Sequence, residues 1–330
     1  MTGQTILVTG GTGSFGAAFI GALLADRDAP EKIISVSRNA AKRYELEQRF
    51  PDSRLVVVPG DVRIMTDLIA AVDGQTVDTI IHAAAEKHLP TGENHRHYVW
   101  STNAHGAAHV VALARHVHAR QVIALSTDKA CEPINEYGKS KREAERIFAS
   151  ADLADEATAY TSVRYGNVCG SSGSVIPLFV RQRAAGILTV TDRRMSRYFM
   201  ALSDDAEVGV YQEPGREPAW SAVGLVLWAM RHARGGEIFV PQIPSATILD
   251  LADAMADGAQ IVETGIRPGE KLHEDLIAAS ESERCYDTGA GVYAILPAHR
   301  DPLSGWLQVP AGFHYDSGQH LQPLRYEVSV

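Results

Sequence analysis

The sequence predicts an α/β protein, a doubly wound parallel sheet with a smaller mixed α/β annex, on three observations. Short β-branched runs alternate through the first half with longer stretches that carry apolar residues at helical spacing. The first run passes straight into glycines spaced by three that open a helix. After about residue 164 the rhythm loosens into shorter pieces, punctuated by Gly170-Ser-Ser-Gly-Ser174, Pro177, the stretch 211–218 with two prolines, and residues 241–244.

Taken in order, strands are expected at Thr5–Thr9, Lys32–Ser37, 54–59, 79–84, 121–126 and 158–164, short β-branched runs suited to burial on both faces of a sheet. Helices are expected between them, among others at 15–25, Ala40–Arg49, 103–119 and 137–149. Repeated βα units make neighbouring strands parallel and cover both faces with helices. No internal repeat, low-complexity tract or long linker interrupts the chain, so the annex should pack on the sheet, with the ligand site in the cleft between them.

At 330 residues, 45% hydrophobic and 22% charged, the chain suits a soluble globular protein and argues against disorder, collagen-like repeats and membrane spanning. The formal charge of -9, with no stretch that joins basic and aromatic residues, argues against nucleic-acid binding. Cys131, Cys169 and Cys285 share no Cys-x-x-Cys spacing and suit a reducing compartment. The opening residues run into Thr5-Ile-Leu-Val-Thr9 without a basic segment or apolar signal core, so the cytoplasm is expected.

Gly10-Gly-Thr-Gly-Ser-Phe-Gly16 follows an apolar strand and opens a helix. Such glycines permit a tight turn, close approach of backbone to a pyrophosphate and close helix–strand packing, while the helix N-terminus supplies aligned N–H donors. The first half therefore reads as a Rossmann-type dinucleotide fold rather than an ordinary glycine-rich turn. At the end of the second strand stand Ser37, Arg38 and Asn39, with Lys42 one turn on and no acidic residue for a ribose 2′-hydroxyl. A guanidinium there favours a 2′-phosphate, so NADP is the expected cofactor; the alternative is a solvated basic helix start. Asp61 suits either an acceptor for the adenine amino group or a helix cap.

Tyr137 and Lys141 stand at i and i+4 on one helix face. An ammonium and an oxidised nicotinamide both favour phenolate and can lower a tyrosine from about 10 toward working pH. Such pairs also occur by accident on long helices, but Thr127 ends a strand ten residues upstream, at the sheet edge where α/β proteins hold ligands. Thr127 and Tyr137 could there share one substrate hydroxyl.

Together Gly10 to Gly16, His82-Ala-Ala-Ala85 with Lys87-His88, Ser126-Thr-Asp-Lys-Ala130 and Tyr137-Gly-x-Ser-Lys141 resemble the extended short-chain dehydrogenase/reductases. Within them the chain resembles the UDP-N-acetylglucosamine 4,6-dehydratases, especially the inverting branch of polysaccharide pathways. Val163-Arg-Tyr-Gly-Asn-Val168, Gly173-Ser-Val-Ile-Pro177, Val190-Thr-Asp192, Met195-Ser-Arg197, Gly236-Glu-Ile-Phe-Val240, Gly312-Phe-His-Tyr315 and, most specifically, Ile266-Arg-Pro-Gly-Glu-Lys-Leu-His-Glu274 carry that likeness past the first half.

The resemblance implies an NADP-binding half at 1–165, with later segments returning to it, and a mainly nucleotide-sugar-binding region at 166–330. It implies that Gly10, Thr12, Gly13, Ser14, Phe15, Gly16, Ser37, Arg38, Asn39, Lys42, Asp61, Val62, Ala83, Ala84, Ala85, Lys87, Tyr137, Lys141 and Tyr165 serve the cofactor. Lys87, Asn167, Val175, Thr191, Arg197, Arg267 and Glu270 would meet a UDP-sugar; the alternative for the arginines is a surface ion pair. Thr127, Tyr137 and Lys141 would oxidise C4, and Lys129 and Asp128 would serve as base at C5 and acid at C6. That assignment calls for a lysine pushed down and an aspartate pushed up, whereas a plain ion pair would do the reverse. A homo-oligomer is also implied. A 4-epimerase would need no Asp128–Lys129 pair, and an NADP-sensing protein without chemistry would not need Thr127, Tyr137 and Lys141.

Three departures stand out. Cys131-Glu132 replaces a small residue and Asn, Glu136 replaces an apolar residue, and the stretch 211–219 lacks the usual apolar helix. Cys131 and Glu132 read either as extra acid–base groups or as loop residues. Glu93-Asn-His-Arg-His97 is rich in histidine but lacks a convincing ligand set, so no metal is expected.

Overall fold

Both faces of β1 (Thr5–Thr9) are covered, which is why Ile6, Leu7 and Val8 run without polar alternation and are fully buried. The computed structural model describes all residues except 88–94, 156, 172, 205–207, 212–219, 322–324 and 329–330; His88, Glu93, Asn94 and most of the stretch 211–219 thus lie outside the described residues. β1 pairs in parallel with β2 (Lys32–Ser37) on one side and with β4 (Thr79–His82) on the other. β3 (Leu55–Pro59) flanks β2, while β5 (Gln121–Leu125) and β6 (Ala159–Val163) continue beyond β4. The order β3-β2-β1-β4-β5-β6 is that of a Rossmann sheet, and the reversal of winding between β1 and β4 opens a crevice at their carboxyl ends. The strand Ile238–Pro241 adds in parallel to β6, and three antiparallel strands, Val292–Ile295, Cys285–Asp287 and Leu307–Gln308, complete the ten-stranded sheet.

Phe19, Ile20 and Leu23 of α1 (Ser14–Ala25) join Leu225 and Ala229 of the helix Ala222–His232 in the core on one sheet face. α2 (Ala40–Arg49) is polar and buries only Leu46. Leu68 of α3 (Met65–Val72), Val110 and Leu113 of the helix Gly106–Val117, and Phe148 fill the core on the other face. A third core, around Phe179, Leu188, Met195, Phe199 and Leu251, holds the annex together. No helix among the described residues is long and apolar enough to cross a membrane. The three cysteines are buried, and none forms a disulfide.

The expected elements are present, with shifted ends. β4 stops at His82, two residues early, because Ala83 N and Ala84 N turn to Thr9, donating to its carbonyl at 3.1 Å and its hydroxyl at 3.4 Å. The helix expected at 103–119 begins earlier, at Arg96–Trp100, and reaches the helix Gly106–Val117 through a π-helical turn, Ser101–His105. There Asn103 Nδ2 donates to Glu86 O at 3.0 Å and to Ser140 Oγ at 2.9 Å, a tertiary link that displaces regular winding. The helix Glu136–Ala154 starts one residue early, capped by Asn135 Oδ1, which accepts from Gly138 N at 2.8 Å.

One interior charge cluster joins these parts. Arg164 is fully buried just after β6, donates to Glu145 at 3.0 and 2.8 Å and to Glu281 at 2.8 Å, and also reaches Leu276 O. Removing the guanidinium would strand two carboxylates in the interior. Arg164→Met should therefore lower the unfolding free energy by about 3–5 kcal/mol, measured by urea denaturation. A loss within about 0.5 kcal/mol, as for a surface substitution, would show that the cluster does not support the fold.

Candidate active site

β1 ends at Thr9 and the chain turns through Gly10 at φ 73°, its N–H donating to Val36 O at 2.9 Å. A Cβ on Gly10 would lie 2.8 Å from the Ala84 backbone, and one on Gly16 2.5 Å from the Gly10 carbonyl oxygen, so this turn closes only with glycine. α1 consequently starts hard against the sheet, without a side-chain cap, at the edge of a cavity of about 1350 Å³. Gly10, Thr12, Gly13, Ser14, Phe15 and Gly16 line that end, with Ala83, Ala85 and Lys87 beyond β4 and Lys42 of α2 on the rim. Helix-terminal N–H donors beside an opening with Lys42 and Lys87 fit the phosphates of a dinucleotide.

Six further expected cofactor residues, Ser37, Arg38, Asn39, Asp61, Val62 and Ala84, stand off the cavity wall. Arg38 is exposed and donates to Tyr98 OH at 2.6 Å, with Asp61 at 3.9 Å. Asn39 caps α2 by accepting from Lys42 N at 3.0 Å, while Ser37, Val62 and Ala84 supply packing and backbone. Both oxygens of Asp61 accept from Arg63, whose Nε lies 3.0 Å from each. Asp61 is not the cap of α3, whose N-cap is Ile64.

Across the cavity, the end of β5 and the helix Glu136–Ala154 meet. A Cβ on Gly138 would lie 2.1 Å from Lys129 O, so the glycine lets the helix touch the turn Asp128–Ala130. This contact brings Thr127, Lys129, Tyr137, Lys141 and Tyr165 to one wall. Thr127 Oγ1 donates to Asp128 Oδ1 at 2.8 Å, and its hydroxyl favours the ionised form of Tyr137. Asp128 is fully buried, and its Oδ2 has no hydrogen-bond partner. Lys129 Nζ donates to Asp128 Oδ1 at 3.1 Å and lies 3.5 Å from Glu274 Oε1.

The electrostatics correct two expectations. Burial pushes the Tyr137 phenol up to about 12, and the cation that pulls against it is Lys129, helped by the Thr127 hydrogen bond. Lys141 instead turns its ammonium to Leu125 O and, through burial opposed by Glu145, is pushed down to about 8. Lys129 does not rest as a neutral amine. Burial works to lower it, but the carboxylates of Asp128 and Glu274 overcome that and, against Arg197, hold it well above the ordinary lysine range. Burial also leaves His82 neutral, at about 3, beneath Thr9.

Asn167, Val175, Thr191, Arg197, Arg267 and Glu270 line the annex side. Arg197 is buried, and its guanidinium is held by the carbonyls of Ser196, Leu272 and Lys271, so it stands as a fixed charge rather than a free arm. Arg267 is exposed and paired with Glu270. Of the departures, Cys131 is buried with its thiol 3.7 Å from Glu281, and Glu132 is exposed at φ 44°; neither lines the cavity. Glu136 accepts from Trp100 Nε1 and Arg96 Nε, both at 2.8 Å. Sequence reasoning missed Glu274 and Arg63. Glu274 closes the most specific motif, but its contact with Lys129 spans residues that no local spacing links.

Comparison with known proteins agrees with this geometry. The family described as polysaccharide biosynthesis protein matches residues 6–213 and 219–295. The chain is 39% identical over 300 residues to a UDP-N-acetylglucosamine 4,6-dehydratase (inverting) of Campylobacter jejuni subsp. jejuni serotype O:23/36, covering 90% of this chain and 84% of that protein. It is 37% identical over 307 residues to a UDP-glucose 4-epimerase of Rickettsia prowazekii, with 90% and 84% covered. Among solved structures, Pen from Bacillus thuringiensis superposes with a TM-score of 0.86 at 30% identity, covering 98% of this chain and 95% of that one.

The position of Lys141 has a thermodynamic signature. Its native value lies near 8 and its unfolded value near the ordinary 10.5. Between them the unfolded chain keeps a proton that the native protein has released, so this group makes stability rise with pH across that window. Chemical denaturation of wild type and Lys141→Met on either side of pH 8 should show the wild type gaining relative to the variant as pH rises. Parallel pH dependences would remove Lys141 as the source.

Proposed function

The chain belongs to the polysaccharide biosynthesis protein family of extended short-chain dehydrogenase/reductases, and we propose that it is an NADP-dependent UDP-N-acetylglucosamine 4,6-dehydratase that forms a UDP-4-keto-6-deoxy-N-acetylhexosamine with inversion at C5. The observation that carries this reading is the Asp128–Lys129 pair beside Thr127 and Tyr137, because an acid–base pair for C5 and C6 is surplus to a 4-epimerase. Residues 1–165 form mainly the cofactor half and 166–330 mainly the nucleotide-sugar half. We place the enzyme in the cytoplasm as a homo-oligomer; three buried cysteines that share no disulfide suit a reducing compartment.

When bound, the nicotinamide supplies a hydride acceptor for C4 and a hydride donor for C6, so no net reductant is used. Tyr137, brought to phenolate by the Lys129 cation and the positive charge of an oxidised nicotinamide, removes the 4-hydroxyl proton beside the Thr127 hydroxyl, while Lys141 stands behind it on Leu125 O. The resulting ketone acidifies the C5 proton. Asp128 and Lys129 reach their working states by one internal transfer, since moving the ammonium proton across 3.1 Å turns the resting ion pair into a neutral amine and a carboxylic acid. Lys129 then takes the C5 proton, and Asp128, buried behind Thr127 and Lys129 with its Oδ2 unpartnered, gives its proton to the departing C6 hydroxyl. Lys129 returns a proton to the opposite face of C5, which inverts that centre. The proton that Tyr137 gained then returns to Asp128 by way of the Thr127 hydroxyl, which already donates to Asp128 Oδ1 at 2.8 Å, and this resets both groups.

Incubation with UDP-N-acetylglucosamine deuterated at C4 tests the reading. The product should weigh one water less and carry the label at C6 without added NADPH. A product of unchanged mass with C4 inverted would establish the epimerase instead, and label lost to the cofactor pool would mean net oxidation.

Cofactor choice rests on Lys42 at the cavity rim and on the exposed Arg38 four residues before it, which stands off the cavity wall on Tyr98, with no carboxylate next to Arg38 in the chain. Arg38→Ala should weaken NADP by about 1.5–3 kcal/mol and NAD far less, as expected for a lost charge-assisted phosphate contact. Equilibrium titration of both cofactors measures it. Wild-type protein that bound NAD as tightly as NADP would overturn the assignment.

A further inference from the structure

We infer that Glu274 is a positioning residue that keeps Lys129 strongly basic at the moment Asp128 carries the proton, a role that rests on the dehydratase reading above. Glu274 is buried at the mouth of the strand Asp275–Ile277, its backbone locked to Ser317 by two hydrogen bonds of 2.9 Å. Its side chain points into the cavity. Oε1 lies 3.5 Å from Lys129 Nζ and 3.8 Å from Arg197 Nε, while the buried Oε2 has no hydrogen-bond partner.

Such a carboxylate is costly unless its charge is used. Arg197 explains it only in part, because its guanidinium is hydrogen-bonded to three carbonyls and its Nε stays 3.8 Å from Oε1, beyond hydrogen-bond reach, whereas Lys129 Nζ is nearer at 3.5 Å. The use lies in the proton count at Lys129. In the resting pair, Asp128 supports the ammonium; once Asp128 has taken the proton it no longer does, and an amine facing Arg197 would become a poor base. Glu274 stays at contact distance on the other side and restores the attraction for the proton that leaves C5. The charged groups acting on Lys129 are Asp128, Glu274 and Arg197, with Tyr137 also interacting; those acting on Glu274 are Lys129, Asp128, Arg197 and Lys271. Burial raises Glu274, and the three cations oppose it.

The test uses Glu274→Gln, which keeps the shape and removes the charge, with Glu274→Asp as the partial restoration. In substrate-free protein with bound NADP and carbon-13 lysine, the signal missing from Lys129→Met identifies Lys129. In wild type that signal should stay in its charged state across the range in which the protein remains folded. In Glu274→Gln its titration should fall by about one to three pH units, the effect expected of one opposite charge lost at this distance. With UDP-N-acetylglucosamine in deuterated water, C5 exchange should slow at least tenfold in Glu274→Gln, recover in part in Glu274→Asp, and leave KM and C4 oxidation near wild type.

An unchanged Lys129 titration in Glu274→Gln would overturn the inference whatever the enzyme's activity. Slowed C4 oxidation together with slowed exchange would also overturn it, as the mark of a merely structural carboxylate. Wild type that neither loses water from the sugar nor exchanges C5 would instead sink the dehydratase reading, while the lysine titration would still report on the Glu274–Lys129 contact.

Discussion

The contact between Gly138 and the carbonyl of Lys129 sets the geometry of the whole site. Only a residue without Cβ lets the first turn of the helix Glu136–Ala154 rest on the turn Asp128–Ala130, since a methyl group would stand 2.1 Å from that oxygen. Two segments consecutive in sequence are thereby folded face to face. The phenol of Tyr137, the hydroxyl of Thr127 and the ammonium of Lys129 then share one wall, with Asp128 buried directly behind it, and the steric rule that selects glycine becomes the rule that assembles the site. The same device operates at the other end of the cavity, where Gly16 lets α1 approach the turn after β1 and aim its N-terminus at the phosphate end.

With the groups so close, proton placement is decided by neighbours more than by residue type. Tyr137 and Lys141 were paired by spacing, yet the lysine that acts on the phenol is Lys129, because Lys141 reaches the end of β5 and faces Glu145. Lys129, buried beside two carboxylates, rests charged. An ion pair and a poised acid–base couple differ here by one proton across one hydrogen bond, so a resting site that looks inert holds the reactive state as its tautomer.

The sheet was legible because strands buried on both faces are largely apolar: β1, β2, β4 and β5 fall where Val and Ile runs stand, the half-buried edge strand β3 carries Val56 to Val58, and β6, Ala-Tyr-Thr-Ser-Val, is the least apolar of the six. Element ends were less legible, since they answer to tertiary partners, as when Asn103 reaches Glu86 and Ser140 and diverts a helix into a π-turn. In the site, Thr127, Tyr137, Lys141 and the glycines announce themselves by spacing. Glu274 and Arg63 do not. Arg63 reads as an ordinary residue after Asp61 until both oxygens of that aspartate are found occupied by it. Glu274 meets Lys129 only because the annex folds back on the sheet.

The catalytic layer is in turn seated on the buried charges below it. Glu145, which opposes the loss of charge at Lys141, also accepts from Ser126 Oγ at 2.6 Å and from Arg164, and lies 3.2 Å from Arg142. Arg164 and Arg142 both pass on to Glu281 in the annex-side 3-10 helix Ala279–Arg284. The carboxylate behind the catalytic lysine is therefore fixed by the cluster that joins sheet, helix and C-terminal segment. A change in Arg164 would loosen Glu145 and with it the charge balance at Lys141, so stability and catalysis are coupled through one shared carboxylate rather than by proximity alone.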